Sequence, residues 1–148
     1  MGECVFCDIA SGSATAHVIH QDELVIAFLD THPIRPGHTQ IIPRDHASYF
    51  DDLTPATAAR VILVGQRVAR ALKRLSGVPR VAFLFTGGDV AHAHAHVVPM
   101  HEKTDITSRR YIVEERLTFR STPPAIEIDL ADVASRLRQL GTDMSETD

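Results

Sequence analysis

The sequence has no tryptophan, few aromatics (5%), only two cysteines and no excess of basic charge, and each scarcity closes off a class of protein. Cys4 and Cys7 alone cannot form a disulfide framework; one strained local bridge is the most they allow. Fifteen Lys+Arg against nineteen Asp+Glu leave a net charge of −4, which does not suit a binder of nucleic-acid polymers, although a local basic face is still open. No apolar run approaches the ~20 residues that span a bilayer. The opening Met1-Gly2-Glu3-Cys4 has neither a basic n-region nor an apolar h-region. Phe6 stands where a myristoylation signal wants Ser or Thr. A cytoplasmic protein with no membrane partner is expected.

What is present suits a globular chain. The 44% hydrophobic and 23% charged fractions are ordinary for one. A chain of 148 residues makes one domain that buries roughly 68–70% of its unfolded surface without staples. Histidine is the surplus: nine in all, four of them between His92 and His101.

Local patterns predict the elements. Val18 to Leu29 reads as two extended runs around the polar turn Gln21-Asp22-Glu23, the second a continuous apolar stretch from Leu24 to Leu29. Two prolines and a glycine make Asp30 to Gly37 a loop. His38 to Ile42 is a strand halted by Pro43. Thr54 as cap and Pro55 at the first helical position open a long helix. Val61, Val64, Val68, Leu72 and Leu75 form its apolar face, Arg70, Lys73 and Arg74 complement its dipole, and Gly77 ends it. Val81 to Phe85 is a buried strand, followed by a Gly87-Gly88 turn and a strand from His92 to Pro99. One further strand is expected around Tyr111 to Val113, and a final helix on Leu130, Val133, Leu137 and Leu140, closed by Gly141. The order predicts an α+β fold: an antiparallel sheet of about five strands, one long helix and a C-terminal helix. Residues 1–141 form a single domain, and 142–148 an acidic tail that frays.

On a strand, the period of two puts His92, His94 and His96 on one side and Ala93, Ala95 and Val97 on the other. Three such imidazoles can bind a metal, or can present a nucleophile beside groups that orient it and move protons. A cupin-type metal barrel is disfavoured by the long helix. Cys4 and Cys7 at C-x-x-C spacing are half of a tetrahedral zinc site whose other half must be histidine; inert reduced thiols or, more weakly, a redox pair are the alternatives.

His92-Ala-His94-Ala-His96-Val-Val resembles the His-φ-His-φ-His-φ-φ signature (φ apolar) of the histidine-triad superfamily of nucleotidyl hydrolases and transferases. Cys4-Val-Phe-Cys7-Asp-Ile, Ala27-Phe-Leu-Asp30 and Pro36-Gly-His38-Thr-Gln-Ile-Ile-Pro43-Arg-Asp-His46 resemble three further blocks of that family, in its order, over residues 4–101. The resemblance implies that His94 is the nucleophile at the α-phosphorus of a nucleotide ester, anhydride or phosphoramidate. His96 would sit near the bridging atom and the phosphate, and His38 would help to orient His94. Asp30 would hold the ribose hydroxyls, with Phe6, Ile9 and Leu29 flanking the base. Gly88 and Asp89 stand where many members carry Gln and Ser/Thr against the phosphate, on a shorter loop. A carboxylate there repels phosphate unless it is turned away or protonated.

The same resemblance gives Cys4 and Cys7 the partners His46 and His92 around a structural zinc, and implies a homodimer. The expected partner is a nucleotide. No catalytic metal is needed by a nucleophile that is already neutral. The rival from another class is a nucleotide-binding regulatory or scaffold module with vestigial turnover, which Asp89 and the short loop favour.

Overall fold

The computed structural model describes residues 4–106 and 122–142. Five antiparallel strands, β1 (Val18–Gln21), β2 (Val25–Leu29), β3 (Thr39–Pro43), β4 (Val81–Phe85) and β5 (Ala95–Pro99), form one sheet in the order β1-β2-β3-β5-β4. Helix α1 (Val5–Ser11) precedes them, α2 (Pro55–Ser76) separates β3 from β4, and α3 (Glu127–Thr142) is the last described element. The α+β architecture is the one the sequence predicts.

Helix α2 begins and ends where expected. Thr54 Oγ1 accepts from Thr57 N at 3.1 Å, Pro55 occupies the first turn, and Gly77 at φ 68° donates its N–H to Lys73 O at 2.9 Å. Its stripe of Val61, Val64, Val68 and Leu72 packs with Leu130, Ala134 and Leu137 of α3. Together they cover Val25, Ala27, Leu29, Ile41, Ala95 and Val97, the residues on one face of the sheet. The other face carries Ile26, Phe28 and Ile42, which pack with Phe6 of α1. Strand β2 therefore buries both faces, which is why it reads as an unbroken apolar run.

Several details depart from expectation. Strand β4, expected to be buried, lies at the sheet edge with Phe83 exposed. Helix α1 has no side-chain cap and only seven residues, so its sequence carries no helix signal; Phe6, buried at 7% exposure, anchors it. Strand β3 starts one residue late and includes Pro43. Helix α3 runs through Gly141 to Thr142, because Gly141 does not take the left-handed conformation of a capping glycine. Strand β5 starts at Ala95, so His92 and His94 precede it. The strand expected around Tyr111 to Val113 and the tail from residue 143 lie outside the described residues. Among those described, no helix is long and apolar enough to cross a membrane.

Candidate active site

Cross-strand register builds the floor of the site. Gln40 of β3 opposes Phe28 of β2 on one side and His96 of β5 on the other, and His96 opposes Leu84 of β4. Directly opposed residues point to the same face. Only His96 of the three clustered histidines owes its direction to strand pairing. His92 and His94 lie in an irregular approach held by Ala93 N–H donating to Ala47 O at 2.7 Å. They nevertheless share a side: both meet the Phe6 ring, with centroids 5.8 and 5.1 Å away, and His94 and His96 rings are 5.0 Å apart.

Backbone groups settle where the ring protons are, because a carbonyl can only accept and an N–H can only donate. His92 Nε2 donates to Pro43 O at 3.0 Å, which leaves its Nδ1 lone pair facing Cys4 Sγ at 3.4 Å and Cys7 Sγ at 3.5 Å. His94 Nδ1 donates to His92 O at 2.7 Å, so its Nε2 keeps a free lone pair. His38 Nδ1 accepts from Ile34 N at 3.1 Å, so its Nε2–H is directed at His96 Nδ1, 2.9 Å away. His96 in turn holds its own proton on Nε2. The expectation that His38 orients His94 is thereby corrected: His38 fixes His96, and His94 is fixed by the backbone of His92.

Burial disfavours the charged form of three of these imidazoles, His38, His96 and His92. Burial pushes His38 down to about 4, with His96 adding to the lowering and the Asp30 carboxylate opposing it. Burial also lowers His96, with His94 acting in the same direction and Asp30 and Asp89 against it. His92 is lowered chiefly by burial. His38 owes its place to Gly37, whose φ is 93° and whose missing Cβ would stand 2.6 Å from Leu72 Cδ2.

Among the described residues, two clusters could hold a metal ion, each with ligand atoms within 4.8 Å of one another. In Cys4, Cys7, His46 and His92, the first helical turn brings both thiols to one side. Cys7 Sγ is 3.3 Å from His46 Nδ1, and His92 offers a lone pair. Burial and the neighbouring Cys4 push the Cys7 thiol up. Two thiolates and two neutral imidazoles are a fitting donor set for zinc. Asp30, His38 and His96 form the second cluster. There the proton on His38 Nε2 faces its neighbours, and Asp30 Oδ2 accepts from Gln40 Nε2 at 2.6 Å, so the cluster is a hydrogen-bonded relay.

Asp30, Gln40, Asp89 and His96 line a cavity of about 560 Å³. Asp30 is held rigidly, since Oδ1 also accepts His32 N–H at 2.8 Å. Phe6 and Ile9 lie on this side of the sheet, but Leu29 points to the α2 face among Val25 and Ala27, so it cannot share a ligand contact with Phe6 through its side chain. Phe28 is the β2 residue on the Phe6 side, with its ring 5.7 Å from that of Phe6. Counting by twos back from Asp30 would have found it. Gly88 is exposed, with open space where a side chain would stand, whereas Gly87 and His94 border a smaller cleft of about 270 Å³. Sequence reasoning also missed Arg35, whose Nη2 lies 2.8 Å from Asp105 Oδ1 at the cavity rim and pins residues 101–105 against the 30–37 loop. Nothing local links residues so far apart in sequence.

The sequence model of the HIT domain matches residues 11–103. A HIT-like protein of Borreliella burgdorferi is 33% identical over 106 residues, covering 67% of this chain and 76% of that protein. The crystal structure of a Zn-bound histidine triad family protein from Mycobacterium smegmatis is similar with a TM-score of 0.76 and 31% identity, over 99% of this chain and 98% of that one. Adenylylsulfatase HINT3 of Arabidopsis thaliana is 27% identical over 106 residues, which cover 68% of this chain and 54% of that protein.

Proposed function

The chain belongs to the HIT domain family, and from that premise we propose that it hydrolyses or transfers nucleotides at the α-phosphate through a covalent adduct on His94. The observation that carries this reading is the 2.7 Å hydrogen bond from His94 Nδ1 to His92 O. It leaves Nε2 as a lone pair, and the same carbonyl stabilises the imidazolium that attack creates.

The Nε2 lone pair of His94 forms a bond to phosphorus as the bond to the leaving group breaks. The departing oxygen or nitrogen accepts a hydrogen bond from His96 Nε2–H and leaves with a proton from solvent. Water then attacks phosphorus, loses a proton to solvent, and the P–N bond breaks to restore neutral His94. His38 holds His96 in the tautomer that can donate. Asp30 takes the ribose hydroxyls, and Phe6, Ile9 and Phe28 flank the base. Asp89 lies toward the phosphate.

Cys4, Cys7, His46 and His92 would hold a zinc ion that staples α1 to the loop after β3 and to the triad. Its role there is structural, and it supports the Phe6 wall and the His92 carbonyl. The donor set and the Zn-bound relative support this reading. A homodimer through β4 is supported by that strand's place at the sheet edge and by exposed Phe83, which lies over Gly65 of α2, one turn from exposed Ile62.

Asp89 gives the rival reading, a nucleotide-binding module, its one specific support. Steady-state turnover of nucleoside phosphoramidates, aminoacyl-adenylate analogues and dinucleoside polyphosphates decides between them. Turnover of at least one class is expected. Binding without turnover of any class would leave the module.

A further inference from the structure

Among the described residues, one buried polar atom beside the cavity lacks a partner. Gln40 Oε1 is shut away from solvent and finds no hydrogen-bond donor among the described residues. Its orientation is fixed, because Gln40 Nε2 lies 2.6 Å from Asp30 Oδ2 and a carboxylate accepts only from a donor. The amide carbonyl is therefore the atom left unpaired, one amide width from the Asp30 carboxylate. Buried acceptors are almost always satisfied in folded proteins, so an orphan on a residue that lines a cavity points to a donor brought by a ligand that displaces its neighbours slightly.

The register says which part of a ligand that is. Gln40 stands between Phe28 and His96 in one row across the sheet. Strands are ~4.8 Å apart, so these two neighbours are separated by roughly 10 Å. That matches the reach of a nucleoside monophosphate from its base, against the aromatic wall, to its phosphate, at the imidazoles. The sugar falls in the middle, beside Asp30.

We propose that Gln40 reads the sugar: its Oε1 accepts a hydrogen bond from a ribose hydroxyl beside the Asp30 carboxylate, and this makes the site select ribonucleotides over deoxyribonucleotides. The assignment rests on the nucleotide reading of the site. Asp30 alone would present one carboxylate to two hydroxyls while also accepting from His32 and Gln40. A second acceptor from Gln40 lets each hydroxyl have its own. A ligand that lacks the matching hydroxyl leaves Oε1 buried and unpaired, which is how sites of this kind discriminate strongly.

The test is the affinity of AMP and GMP against their 2′-deoxy and 3′-deoxy counterparts, measured by calorimetry on zinc-replete protein. Wild type, Gln40→Met, Asp30→Ala and the double variant are compared. Gln40→Met keeps the length of the side chain and removes the acceptor; Gln40→Leu serves if it fails to fold. Wild type should prefer the ribose form over one deoxy form by roughly tenfold or more. Gln40→Met should lose most of that preference, and should lower it further in the Asp30→Ala background. An unchanged preference would overturn the proposal. So would an effect of Gln40→Met that disappears once Asp30 is gone, since Gln40 would then act only through Asp30. Because the readout is binding, a variant with unaltered sugar preference overturns this inference and leaves the transfer chemistry standing. A wild type that binds neither nucleotide overturns both.

Discussion

His38 directs its Nε2–H at Nδ1 of His96 across 2.9 Å, while its own Nδ1 is capped by the Ile34 N–H. This pair assigns the roles of the other imidazoles. It makes His96 a donor at Nε2 and separates it chemically from His94, whose Nε2 is a bare lone pair. Two histidines two residues apart thus have opposite hydrogen-bonding character at the same ring atom.

Replacing that lone pair should abolish the chemistry and little else. His94→Ala is expected to lower kcat by a factor of about a thousand or more, as loss of a nucleophile does. Thermal unfolding should move by only a few degrees, because His94 is not among the zinc donors. Activity assay and calorimetry on the same preparation check this. A grossly unfolded variant would show that the loss is structural.

The zinc assignment predicts about one metal ion per chain. Cys4→Ala or Cys7→Ala should lose the metal together with much of the stability, since structural zinc contributes roughly 10–16 kcal/mol of apparent binding free energy in small domains. Elemental analysis of protein purified without added zinc should find near-full occupancy. Near-zero occupancy contradicts the assignment.

Acid should weaken the fold through His38. Its pKa falls from the ordinary 6.5 to about 4 in the folded protein, so the unfolded chain binds the proton first. Stability is then fully present above pH 6.5 and is lost as pH falls toward 4, by on the order of 3 kcal/mol at the acid end. Acid release of zinc adds a loss common to wild type and variant. The unfolding midpoint of His38→Gln should therefore decline less steeply than that of wild type between pH 6.5 and 4.5; parallel curves would contradict this.

Asp89 lies on the cavity with His96 and favours the charged form of that ring. A negative group beside the phosphate also disfavours an anionic leaving group. Asp89→Ser is expected to raise kcat/KM for dinucleoside polyphosphates about fivefold, or ~1 kcal/mol, with a smaller change for phosphoramidates of neutral amines. Equal changes for both would show that Asp89 does not face the leaving group.

Much of this was legible in the sequence, for local reasons. Thr54, Pro55 and Gly77 bound α2 as their capping chemistry requires, and the His-x-His-x-His spacing pointed to clustered imidazoles, although only His96 reaches its place by strand pairing. Less legible was whatever depends on partners distant in sequence. Helix α1 is held by burial of Phe6 rather than by capping, and Arg35 meets Asp105 only in the folded chain. Leu29 illustrates a plainer failure: strand alternation sends it to the α2 face and gives its place to Phe28. The bond from His38 to His96 rather than to His94 follows from sheet order, which places β3 beside β5, and from Ile34 capping the ring.

The stereochemistry of hydrolysis at phosphorus tests the central claim most directly. Attack by His94 and then by water makes two in-line displacements, each of which inverts configuration. An α-phosphorothioate substrate of known handedness, hydrolysed in isotopically labelled water, should therefore give product with retained configuration. Net inversion would mean that water attacks phosphorus in a single step, and would contradict a nucleotidyl-histidine intermediate.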